Sequence, residues 1–188
     1  MSAALQYPQR HPVSAEEYLR MGEAGVFAPE ARLELIEWEI VEMAPIGSPH
    51  AGTVKVLNRL LTSRVGDRAI VSVQDPLVIA DRSVPQPDLA LLRPRADSYR
   101  RSHPAAADVL LVIEVSDTTL RFDLDTKVPL YARCGIPEVW VVDLSAKVIR
   151  VFREAGPGGY RASLAAAGDE SVASIVLPEV RVAASELF

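Results

Sequence analysis

The stretch Val109-Leu110-Leu111-Val112-Ile113-Glu114-Val115 decides the fold. A nearly continuous apolar run of this length, over residues 108–115, predicts a central strand covered on both faces, because a half-exposed strand would alternate apolar and polar residues. Downstream, residues 120–134 carry helical spacing and stop at Gly135, with Pro129 inside them implying a kink or a late helix start. Glu138 to Asp143 then reads as a second buried strand. Strand–helix–strand units of this kind, mixed with hairpins, suggest one mixed sheet with helices packed on it.

Working outward, residues 147–153 read as a hairpin partner of 138–143, and the tail from 160 onward as further short strands. Upstream, strands are expected at roughly 69–73, 76–80 and 86–92. Residues 93–107, rich in Arg, Pro and Ala, read as a surface loop. Ser48-Pro49 predicts an N-cap followed by Pro at the first helical position, with the helix running to about Val65 and Val54, Leu57, Leu60 and Leu61 as its buried stripe. Residues 31–36 and 39–44 read as a hairpin turning at Glu37-Trp38, which lacks the Asn-Gly or Asp-Gly chemistry of tight turns. Ser14-Ala15-Glu16-Glu17 is a capping box opening a short helix that ends near Gly22 or Gly25. Residues 1–13 are expected as a flexible arm and 14–188 as one domain. The class is α/β (α+β): one mixed β-sheet core flanked by helices.

The 188 residues, 49% hydrophobic and 24% charged, suit a globular chain with its own core. The apolar runs are too short to span a bilayer, and Met1 to Pro12 has no apolar segment of the kind a signal peptide needs. With one cysteine, Cys134, no internal disulfide can form. These features imply a cytoplasmic protein that does not enter membranes. The net charge of −5 argues against a general nucleic-acid binder, but not against an enzyme whose acidic cleft holds a metal ion.

Three residues stand where their chemistry is costly. Glu114 ends a buried strand, and a carboxylate there must be paired, metal-bound or protonated unless the strand simply reaches solvent. Lys127 shares a helical face with Leu124, Val128 and Tyr131, so it either snorkels outward or answers a buried negative charge. Asp88 follows Pro87 at a strand start, an ordinary turn position when read alone. Together, two carboxylates at the ends of adjacent strands and a facing lysine form the minimal site for phosphodiester hydrolysis. The carboxylates offer hard oxygen ligands to Mg²⁺ or Mn²⁺, and the lysine can steady charge in the transition state. Glu34, which alternates with Leu33 and Leu35, and His50, in the first turn of its helix where phosphate binds readily, are candidates for the same site. Taken singly, both also fit solvated surface positions.

These residues lie in a set of signposts: Arg32-Leu33-Glu34-Leu35-Ile36, Glu39-Ile40-Val41-Glu42-Met43-Ala44-Pro45, Ser48-Pro49-His50, Gln86-Pro87-Asp88, Ile113-Glu114-Val115-Ser116, Lys127-Val128-Pro129-Leu130-Tyr131-Ala132 and Pro137-Glu138-Val139-Trp140-Val141-Val142-Asp143. In this order and spacing the chain resembles the bacterial "Uma two" family of restriction-endonuclease-like proteins, within the PD-(D/E)xK nuclease superfamily. The resemblance implies a metal-dependent endonuclease acting on DNA, with Asp88 and Glu114 as metal ligands and Glu34 and Lys127 as further catalytic residues. In the superfamily the lysine stands two residues after the glutamate. Here that position is Ser116, a candidate substrate-binding residue alongside His50, and the lysine has moved to the following helix. Where the family has Asp-Gly-Glu at the first hairpin turn, this chain has Glu37-Trp38-Glu39. Restriction-type enzymes often pair so that each chain cuts one strand, which makes a homodimer an expectation. The competing reading is a nucleic-acid- or partner-binding protein that kept the fold without efficient catalysis. No Gly-x-Ser-x-Gly elbow, zinc cluster or phosphate-binding glycine loop supports another hydrolase.

Overall fold

The computed structural model describes residues 10–188. Most of the expected flexible arm, residues 1–9, lies outside the described residues. The central strand is β5 (Val109–Ser116), and all eight of its residues are buried. It pairs in parallel with β6 (Glu138–Asp143) and antiparallel with β4 (Leu89–Leu92). With β3 (Ile70–Val73), β7 (Val148–Gly156) and β8 (Gly159–Ala167) they form a six-stranded sheet in the order β3-β4-β5-β6-β7-β8.

The two faces of this sheet are covered separately. Leu89 and Leu91 of β4 and Leu111, Ile113 and Val115 of β5 pack on Val54, Leu57, Leu61 and Val65 of α2 (Ser48–Val65). The alternate residues Ala90, Leu92 and Val112 pack on Val128, Leu130 and Tyr131 of the crossover helix. Period-2 alternation therefore aims Glu114 at the crossover helix, away from α2. A small antiparallel pair, β9 (Ser171–Ala173) with β10 (Arg181–Ala183), closes the α2 side.

The crossover helix comes in three joined pieces. After α3 (Leu120–Phe122), a π-helical turn spans Asp123–Lys127, and α4 (Val128–Arg133) completes it. Val128 N–H bonds to Asp123 O, five residues back. Pro129 explains the widening: it has no N–H and its ring clashes with a carbonyl one α-turn earlier, so the chain adds a residue to that turn. The kink expected from Pro129 is thus a widened turn ending at Lys127. Gly135, at φ 76°, ends the helix.

A separate hairpin, β1 (Leu33–Ile36) with β2 (Glu39–Glu42), is held by α1 (Ala15–Glu23). Ser14 and Glu17 form the expected capping box. Tyr18 donates its hydroxyl to Leu33 O at 2.7 Å, and Val84 N–H reaches Leu35 O at 2.8 Å. Glu37 and Trp38 turn the hairpin with φ of 50° and 73°. The geometry that normally selects glycine is present without one, which costs roughly 1–2 kcal/mol per residue.

Three local expectations change. Residues 76–80 form no ladder strand and contribute only isolated bridges, Val78 to Ala105 and Ala80 to Ser83. Leu77 and Ile79 are buried, but Leu77 N–H goes to Pro85 O and Val78 N–H to Pro104 O, which are loop carbonyls. The strand expected at 86–92 shrinks to Leu89–Leu92 because Pro85 and Pro87 cannot donate to a ladder. Gly47, not Ser48, caps α2, and no side chain caps that end.

Candidate active site

Four acidic side chains converge where β1, β4, β5 and the crossover helix meet. Glu34, Asp88, Glu114 and Asp123 are 3%, 5%, 3% and 2% exposed, and Lys127 is 2% exposed among them. Its Nζ lies 3.0 Å from Glu34 Oε1 and 3.2 Å from Glu114 Oε1. Lys127 therefore does not snorkel out; it answers the buried charge that the sequence left as one of two options. Tyr131, one turn further along the same helix face, donates its hydroxyl to Glu114 Oε1 at 2.6 Å.

Asp88 is held differently. Its Oδ2 accepts Val115 N–H at 2.8 Å, while Oδ1 lies 2.7 Å from His50 Nε2 and accepts Gln74 Nε2 at 3.1 Å. The start of α2 supplies His50, and Gln74 comes from the loop after β3 with a left-handed φ of 55°. Asp123 is the fourth acid: its Oδ2 accepts the hydroxyls of Ser116 at 2.8 Å and Thr119 at 2.7 Å. Ser116 is buried and faces Asp123, whereas His50, Asp88, Glu114, Glu34, Asp123 and Lys127 all border one pocket of about 190 Å³.

The electrostatics are those of an acid-rich site. Burial pushes the Glu114 carboxyl up to about 8; Lys127 opposes this, while Asp123, Asp88 and Glu34 add to it. Glu34 and Asp123 are also raised, first by burial, with Lys127 acting against it. For Lys127 burial favours the neutral amine, but Glu114, Glu34 and Asp123 outweigh it and hold the ammonium charged. One buried ammonium stands among four buried carboxyl groups, Arg32 and Asp117 border the same pocket, and Glu34 Oε2 is buried without a hydrogen-bond partner among the described residues. Such an imbalance is costly as it stands and suits a further cation. Among the described residues, no three His, Cys, Asp or Glu side chains already stand in an arrangement that would hold a metal ion. The donor set fits Mg²⁺ or Mn²⁺ by chemistry and charge, with Glu114 Oε1 taken up by Lys127 and Tyr131.

The sequence reading brought Glu34, Asp88, Glu114, Lys127 and His50 to this place and missed Asp123, Tyr131, Thr119 and Gln74. Asp123, Lys127 and Tyr131 are spaced four apart along one helix, a signal that was available.

No helix among the described residues is long and apolar enough to cross a membrane. Among solved structures, the chain is similar to one described as a "putative nuclease belonging to DUF820" from Anabaena variabilis, at 16% identity and a TM-score of 0.74, covering 94% of this chain and 98% of that one. At that identity the likeness shows a shared fold. A comparison with curated proteins finds no match. The sequence model of the Uma2 family, described as "Putative restriction endonuclease", matches residues 15–185, and the chain belongs to that family.

Proposed function

We propose that the chain is a divalent-metal-dependent endonuclease hydrolysing phosphodiester bonds of DNA. The observation that carries this reading is Lys127, buried between Glu34 and Glu114 on the wall of the pocket that also holds Asp88. Asp88 and Glu114 would hold Mg²⁺ or Mn²⁺, which when bound polarises the phosphate and lowers the pKa of a coordinated water. His50, Gln74 and the Val115 N–H fix the direction of Asp88. Tyr131 fixes Glu114 through Oε1, the oxygen that Lys127 also engages. Lys127 supplies the positive charge that meets the negative charge developing on the phosphoryl oxygens, and Glu34 keeps that ammonium in place. Ser116 acts through Asp123 as a positioning residue. Residues 14–188 work as one domain in a cytoplasmic protein, and a homodimer would let each chain cut one strand, which light scattering checks.

The test is cleavage of supercoiled plasmid with Mg²⁺ or Mn²⁺ by the wild type, Asp88→Asn and Lys127→Met, with calorimetric titration of the metal. Metal-dependent nicking lost in both variants supports the reading. One observation favours a second reading: Lys127 already closes on both glutamates. A protein that uses the fold only to bind DNA or a partner would show metal or DNA binding without nicking.

A further inference from the structure

We infer that Arg32 is a substrate-binding residue whose guanidinium anchors a nucleic-acid backbone phosphate at the mouth of the acidic pocket. This rests on the nuclease reading and names a contact that reading does not supply. Arg32 lies two residues before Glu34, on the same face of the hairpin, and borders the pocket. Among the described residues, Arg32 and Lys127 are the lysines and arginines that line the pocket.

Lys127 is engaged by two carboxylates, but Arg32 is not. Among the described residues nine arginines pair with a carboxylate, from Arg10 with Glu39 to Arg161 with Glu154, and Arg32 makes no such pair. Its Nη1 donates to the Ala44 carbonyl across the hairpin, and its own carbonyl accepts Met43 N–H at 2.8 Å. A guanidinium carries five N–H donors, so fixing it through one nitrogen leaves a rigid donor edge that matches two phosphate oxygens.

The charge balance gives this edge a task. Nucleic acid must bring several phosphates toward a pocket lined by five acidic side chains, Glu34, Asp88, Glu114, Asp117 and Asp123, in a chain of net charge −5. A metal ion would answer the charge at the scissile phosphate only, whereas its neighbour needs a cation of the protein. The pocket is also bordered by the start of α2, which has no side-chain cap and no acidic residue in its first turn, with Asp117 beside Gly47. That end adds favourable field but no specific contact.

The experiment is equilibrium binding of a 30-base-pair DNA duplex in Ca²⁺, measured across a salt series for wild type, Arg32→Gln and Arg32→Lys, with thermal unfolding of each. Gln keeps a donor for Ala44 O and removes the charge; Lys keeps the charge. The expected result is a log–log salt slope shallower by about 0.9 in Arg32→Gln, the value for one lost phosphate contact, and recovered in Arg32→Lys. If Arg32→Gln also lowers the Tm, the salt series is run at a temperature where thermal unfolding shows every variant folded, and the Arg32→Gln slope still decides the case. A wild type that binds duplex with a slope unchanged in both variants overturns the role of Arg32 and leaves the nuclease reading standing. A wild type that binds no duplex overturns both.

Discussion

Lys127 Nζ lies 3.0 Å from Oε1 of Glu34, a residue 93 positions earlier that belongs to a hairpin outside the main sheet. This ion pair ties the hairpin to the crossover helix beside β5, as the pair of Arg133 with Glu37 does at the hairpin turn. It makes Lys127 the counter-charge for both Glu34 and Glu114, and its removal the most informative single change.

Lys127→Met should therefore destabilise the protein in a pH-dependent way. Without the ammonium, burial raises both glutamates further above their ordinary values. For groups raised in the folded state, the stability they contribute is full below the unfolded carboxylate range and is lost as pH rises through the folded values. The deficit against wild type should be small near pH 5 and reach about 3–5 kcal/mol near pH 8 and above. Urea unfolding at the two pH values measures it. Equal deficits would mean that Lys127 does not neutralise these carboxylates.

What the sequence disclosed about this site, and what it hid, follows from the same electrostatics. Glu114 and Lys127 could be read because each interrupts an apolar pattern, in a strand and on a helical stripe. Asp88 interrupts nothing, and only its company with the other two made it a candidate. Asp123 is easily passed over because an acid in the first turn of a helix normally faces water, although its four-residue spacing to Lys127 puts both on one face. The π-helical turn that Pro129 imposes carries both Asp123 and Lys127. Residues 76–80 show the reverse error. Their apolar side chains correctly forecast burial at Leu77 and Ile79, but burial does not specify whether the backbone pairs with a strand or with loop carbonyls. Glu37-Trp38 kept the hairpin with both residues at positive φ, so α1, Val84 and the Glu34–Lys127 pair hold the turn where glycine would have favoured it.

Metal binding should release a proton near neutrality. Glu114 rests at about 8 in the metal-free protein, so at pH 7 it holds a proton that the unfolded chain, near 4.5, has lost. This group thus stabilises the metal-free fold fully below about pH 4.5, and its contribution disappears as pH rises through 8. A divalent ion competes with that proton. Mn²⁺ titrations at pH 7 in two buffers of different ionisation enthalpy should show proton release, and at pH 9 the release should vanish. Release that is the same at both pH values would place the proton on another group.

His50→Ala separates two roles for the histidine. Its Nε2 lies 2.7 Å from Asp88 Oδ1, the contact of a residue that orients a metal ligand. On that basis the substitution should weaken Mn²⁺ binding roughly 10–100-fold. If calorimetry instead finds metal affinity unchanged while KM for DNA rises, His50 serves the phosphate directly, as its place in the first turn of α2 suggested.

Asp123→Asn tests whether the fourth acid is there for structure or for the ion. An amide oxygen can still accept the hydroxyls of Ser116 and Thr119, so local geometry should survive. The change removes one of the negative charges that raise Glu114, along with one that holds Lys127 charged. Asp123 is itself raised by its burial, so its ionised form is costly in the metal-free fold. The variant should match or exceed wild-type stability in urea at pH 8 without metal, while binding Mn²⁺ several-fold more weakly, the trade expected where a site keeps charge for function. A loss of several kcal/mol at pH 8 would show instead that Asp123 is a required counter-charge of Lys127, making it part of the scaffold that holds the lysine.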